Sequence, residues 1–136
     1  MFPLPTQSTQ PSLTRIKGIG IDIAPISRIA AMLSRYNQET LSLLFTSNEM
    51  DRCQSTSHPN RYYAACFSTK EAVGKALGIG MVDINWNEVE AQVTDTRLTV
   101  NLFGEARLQA SKRGIEEWLA TWCHWDDYVL VYVLAQ

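Results

Sequence analysis

The sequence predicts an α+β domain with a mainly antiparallel sheet and a long central helix. Three observations predict it. Two pairs of alternating segments rich in β-branched or aromatic residues are each joined by a short polar turn. A proline-free run over residues 61–77 has the composition of a single long helix. One further alternating segment, residues 16–23, stands alone near the start of the chain.

The chain has 136 residues, 46% of them hydrophobic, which suits one domain with a real core and leaves little for a second. Residues 1–14 are rich in Pro, Ser, Thr and Gln and lack the basic lead-in and apolar run of a secretory signal. They are expected to be a flexible arm before a single domain over residues 15–136. The formal charge of −2 excludes a general field for holding nucleic acid, so any phosphate binding must be local. Three cysteines at irregular spacing, Cys53, Cys66 and Cys123, suit neither a disulfide framework nor a zinc motif. No apolar run reaches bilayer length, and residues 128–135 are only strand-sized. A cytoplasmic protein is the expectation.

In the first strand, Ile19, Ile21 and Ile23 fall on one face and Gly18, Gly20 and Asp22 on the other. The bare glycine face would let ligand atoms approach the backbone beside Asp22. The plainer alternative is that Asp22 ends the strand as a cap. Pro25 suits a helix start, and Ile26, Ile29, Met32, Leu33 and Tyr36 recur at helical spacing. Arg28 and Arg35 share a face beside that stripe, either a dock for an acidic partner or an ordinary solvated face.

Thr46 and Glu49 form a capping-box pattern that opens a short helix reaching about Cys53. The long helix over residues 61–77 ends at Gly78. Glu71 and Lys75, four apart, share a face of it, and by themselves read as an ordinary solvated surface pair. Residues 88–94 and 98–102 read as a hairpin around Asp95, Thr96 and Arg97. A helix follows from Gly104 to about Lys112 and ends at Gly114. Residues 118–123 and 128–134 form a second hairpin, with His124 expected at its tip and otherwise an unremarkable exposed histidine.

Three stretches together resemble the holo-acyl-carrier-protein synthase family, the short stand-alone branch of the 4'-phosphopantetheinyl transferases. They are Gly18-Ile19-Gly20-Ile21-Asp22-Ile23, the run from Phe67 through Lys70-Glu71-Ala72 and Lys75-Ala76-Leu77 to Gly80, and Cys123-His124-Trp125-Asp126-Asp127-Tyr128. The resemblance runs from Gly18 to the end of the chain in the family's order. It implies the 4'-phosphopantetheinyl transferase-like fold. It also implies transfer of the 4'-phosphopantetheine arm of coenzyme A to a serine of an acyl carrier protein, with 3',5'-adenosine diphosphate leaving. By the same resemblance Asp22 and Glu71 hold a magnesium ion, and few carboxylates suffice because Mg2+ keeps water and phosphate ligands. Lys75 is the candidate cation for the phosphoryl oxygens, and His124 the histidine near the adenosine phosphate. Lys70 is expected at the phosphate rim. Either Glu71 or a metal-bound water could take the serine proton.

The chain departs from the family pattern at Cys66, where an arginine is usual, and a thiol cannot replace a guanidinium on phosphate. Arg61 is the candidate to compensate. Cys123 replaces a small hydroxyl residue, and Asp95-Thr96-Arg97 replaces a Gly-Lys-Pro turn. The resemblance further implies a homotrimer with sites between subunits, and a carrier protein of fatty-acid, polyketide or peptide synthesis docked on Arg28 and Arg35. The alternative is a non-catalytic coenzyme A or carrier-protein binding module, motivated by Cys66 and Cys123. A nucleic-acid binder stacking bases on Trp86, Trp118, Trp122 and Trp125 lacks the basic groove such sites need, and core packing accounts for those tryptophans.

Overall fold

The alternation over the first strand produces β1 (Gly18–Pro25), which pairs antiparallel with the last strand. The computed structural model describes residues 15–136, so the expected arm over residues 1–14 lies outside the described residues. After β1 come α1 (Ile26–Arg35), α2 (Gln38–Leu44), α3 (Ser47–Gln54) and α4 (Pro59–Ala76). A 3-10 turn (Trp86–Glu88) leads into β2 (Val89–Val93) and β3 (Leu98–Leu102). Helix α5 (Gly104–Lys112) and the hairpin β4 (Trp118–Trp125) and β5 (Tyr128–Ala135) complete the chain.

The five strands form one sheet in the order β1-β5-β4-β3-β2, antiparallel at every pairing. This is the α+β class that the sequence predicts. The long helix α4 lies across β1, β5 and β2 and is buried over most of its length. From β5, Val129, Val131 and Val133 point at it fully buried, each worth about 1.5–3 kcal/mol of transfer free energy. Trp86 stacks on Phe67 at 5.0 Å, and Trp122 packs edge-on against Tyr62, so these two tryptophans do serve the core. Trp125 does not. It stays 45% exposed on the outer face of the sheet.

Local signals set most boundaries. Asn37 caps α2, a helix that sequence periodicity does not announce, by accepting from the Thr40 amide at 2.8 Å. The capping box at α3 is complete, with Glu49 N–H donating to Thr46 Oγ1 and Thr46 N–H donating to Glu49 Oε1. Helix α4 begins two residues earlier than expected because Pro59 fills its first turn, and Gly78 ends it at φ +76°. Glu88 belongs to the 3-10 turn rather than to the strand.

Candidate functional site

Strand β1 presents its faces the opposite way from what the bare glycines suggest. Ile19, Ile21 and Ile23 are about half exposed, at 51%, 47% and 53%, while Gly18 and Gly20 face α4. A Cβ on Gly20 would stand 1.8 Å from the Ala72 carbonyl oxygen, and one on Gly18 2.0 Å from that of Ala76. The glycines therefore admit a helix rather than a ligand.

Asp22 lies within β1 opposite Val131 and does not cap the strand's end. The cap on α1 comes instead from Asp127, in the β4–β5 turn. Its carboxylate accepts from the Ser27 amide at 3.1 Å and from the Ser27 hydroxyl, and its carbonyl from the Ile26 amide at 2.6 Å. Asp22 is thereby left free for the seam between β1 and α4, where its side chain is 15% exposed.

Glu71 and Lys75 project from α4 into the same seam. Lys75 does not pair with Glu71. Its ammonium donates to the Ile21 carbonyl at 2.8 Å and to Asp22 Oδ1 at 3.1 Å, reaching across to the edge strand. Burial first, then the negative charge of Asp22, holds the Glu71 carboxyl above the usual carboxylate range, and Lys75 and Arg28 pull it partly back. Arg28 is thus near enough to act on Glu71, a relation hidden in sequence because 43 residues separate them.

A carboxyl whose ionisation is opposed by burial and by a neighbouring carboxylate, beside a single lysine, makes a site that a divalent cation would neutralise. Among the described residues no cluster of three or more His, Cys, Asp and Glu side chains converges. Two protein carboxylates, with remaining positions open to water and ligand phosphates, are the donor set Mg2+ accepts and Zn2+ does not favour.

Three expected site residues fall elsewhere. Lys70 is not at the rim. It is fully buried, paired with Glu49 at 2.7 Å, and donates to the carbonyls of Trp86 and Val89. Adjacent helix positions diverge by about 100°, so when Glu71 faces the seam, Lys70 must face the core. His124 is not at the hairpin tip. It sits within β4 opposite Val129, exposed and beside Trp122, and the turn consists of Asp126 and Asp127. Arg61 occupies the first turn of α4, ten residues and about 15 Å along the helix from Glu71. It lines a separate cleft of roughly 380 Å3 with His58, Asp126 and Asp127.

Cys66 also faces the core, with its sulfur 3.9 Å from that of Cys53. The thiol–thiol hydrogen bond with Cys53, then burial, pushes the Cys66 thiol well up. An arginine's phosphate-binding role is therefore unavailable to this position in the observed conformation. Cys123 is exposed on β4. On α1, Arg28 and Arg35 flank a small notch of roughly 190 Å3 floored by Ile29, Met32 and Phe67.

Residues 18–133 match the model of the 4'-phosphopantetheinyl transferase superfamily. The chain is 36% identical over 121 residues to a holo-[acyl-carrier-protein] synthase of Desulforudis audaxviator, covering 88% of this chain and 92% of that one. A second, of Chlamydia trachomatis serovar L2, is 35% identical and covers 88% and 98%. The crystal structure of the Neisseria meningitidis holo-[acyl-carrier-protein] synthase superposes with a TM-score of 0.77 at 25% identity, covering 89% of this chain and 98% of that one.

Proposed function

The chain belongs to the holo-acyl-carrier-protein synthases of the 4'-phosphopantetheinyl transferase superfamily, and from that premise we propose how its own residues perform the transfer. The enzyme is a transferase that moves 4'-phosphopantetheine from coenzyme A to a serine of an apo acyl carrier protein. The observation that carries the assignment of its site is the convergence of Asp22, Glu71 and Lys75 on one seam.

Asp22 and Glu71 would hold a Mg2+ ion, which when bound supplies positive charge to the pyrophosphate oxygens. Lys75, anchored by the Ile21 carbonyl and Asp22, holds its ammonium at the mouth of the seam. There it stabilises charge on the phosphoryl group as the serine hydroxyl gives its proton to Glu71 or to water, its oxygen bonds to the β-phosphorus, and the bond to 3',5'-adenosine diphosphate breaks. Arg28, electrostatically coupled to Glu71, adds positive charge on the side from which a carrier protein would approach. Arg28 and Arg35, with the apolar notch between them, suit an acidic helix that inserts one apolar side chain.

A homotrimer completes this reading. The outer face of the sheet exposes Ile19, Ile21, Ile23, Leu119, Trp125 and Tyr128 together, an apolar surface suited to a subunit contact. His124 and Arg61 stand away from the acid pair of their own chain, so a neighbouring subunit is the natural source of these groups for the adenosine end of coenzyme A. Three free cysteines suit a cytoplasmic setting. The non-catalytic alternative loses part of its motive, because Cys66 faces Cys53 in the core and not the acid pair.

The test is to incubate the protein with coenzyme A, Mg2+ and apo carrier proteins and to follow the carrier's intact mass. A gain of one phosphopantetheine that disappears with Glu71→Ala supports the reading. Binding of coenzyme A without any transfer would favour the non-catalytic module.

A further inference from the structure

At Gly18 and Gly20, strand β1 meets the backbone of helix α4 with no side chain of the strand between them. Beyond the Ala72 oxygen at 1.8 Å, a Cβ on Gly20 would meet the Ala72 carbonyl carbon at 2.6 Å and its Cα at 3.1 Å. All three are backbone atoms, so no rotamer change relieves the contact. The helix itself would have to retreat by more than about 1 Å to reach the 3.0 Å below which real Cβ atoms essentially never stand.

The level of that contact along the seam matters. Ala72 directly follows Glu71, Gly20 precedes Asp22 by two residues on the same face of β1, and Lys75 bridges to Ile21 and Asp22 one helical turn on. Gly18 makes the equivalent contact with Ala76, a full turn farther from Glu71. Mg2+ binds at about 2.0–2.1 Å and demands near-ideal octahedral geometry, so an opening of this size between two ligands cannot be absorbed in the metal's own bonds.

We infer that Gly20 is a positioning residue that sets the separation of Asp22 and Glu71 and thereby the affinity of the acid pair for a divalent cation. This rests on the reading of those two acids as the cation's ligands. Gly18 packs the same helix on the same strand without acting on the pair. The two glycines therefore share a packing role and differ in the positioning role.

The experiment uses Mn2+ as the probe on the full chain, reading free ion by electron paramagnetic resonance and folding by circular dichroism. Gly20→Ala is expected to bind Mn2+ about 10- to 100-fold more weakly, and Gly18→Ala within about threefold of the unaltered chain. Asp22→Glu, which adds one methylene, should weaken binding by itself but restore it in the Gly20→Ala background by spanning the widened seam. If Gly20→Ala does not fold, Ala72→Val supplies a milder wedge at the same level and should weaken Mn2+ binding more than Gly18→Ala does. Equal effects of the wedge and Gly18→Ala, or no rescue by Asp22→Glu, would overturn the inference. Mn2+ binding that survives Glu71→Ala would instead overturn the acid-pair reading beneath it.

Discussion

Lys70 and Glu49 form an ion pair at 2.7 Å with both side chains completely withdrawn from solvent. Every oxygen of Glu49 is engaged, since the Thr46 amide donates to Oε1 and the Ala91 amide to Oε2, each at 2.9 Å. Lys70 adds the Trp86 and Val89 carbonyls. The pair joins α3, α4 and the entry to β2, and fixes which side of α4 faces the core.

Removing one member leaves the other charged and buried. Lys70→Met is expected to lower unfolding free energy by about 3–5 kcal/mol, and Lys70→Met with Glu49→Leu to recover much of the loss. Urea denaturation of the two variants measures both effects.

Glu71 binds a proton more readily in the folded chain than in the unfolded one, through burial and then Asp22. Such a group stabilises the fold fully below its unfolded value, about 4.3, and that contribution is lost as pH rises through the higher folded value. Without metal, Glu71→Gln should therefore melt higher than the unaltered chain at neutral pH, with the gap closing at acidic pH. Thermal melts in chelator over that range test it, and a variant that melts lower at neutral pH contradicts the site's electrostatics.

Glu88 behaves in the opposite sense. Burial would raise its carboxyl, but the amides of Ala106 and Asn85 and the Asn85 side chain outweigh that and hold it low. It caps α5 in place of Phe103, which has no side-chain acceptor to offer. Its contribution is present above the unfolded value and is lost as pH falls through the folded one. Glu88→Ala should cost about 1 kcal/mol at neutral pH and less in acid, read from denaturation at two pH values.

Charge reversal at Arg28 is expected to raise the KM for carrier protein at low salt while leaving the KM for coenzyme A less affected. Unchanged carrier kinetics would remove α1 from the interface.

Ile21 stands 47% exposed at the centre of the outer apolar face. Ile21→Glu should dissociate the proposed trimer, measured by light scattering, and should reduce transfer with it. A trimer that survives the substitution would place the subunit contact elsewhere.

The sequence by itself determined the elements whose signals are local: the two hairpins, the long helix and its glycine stop, the capping box of α3, and the span of α5. It also placed Asp22, Glu71 and Lys75 as a candidate set. It could not decide which side of an element meets another. Whether the isoleucines or the glycines of β1 face inward depends on α4, whose backbone needs the room that Gly18 and Gly20 leave. That Lys70 turns into the core follows from Glu49 and the carbonyls waiting there, which the chain supplies from 21 residues before and from 16 and 19 residues after. Asp127 caps a helix 100 residues upstream because β5 returns beside β1. Periodicity specifies a face but not its partner, and the partner decides which residues water, core or substrate will meet.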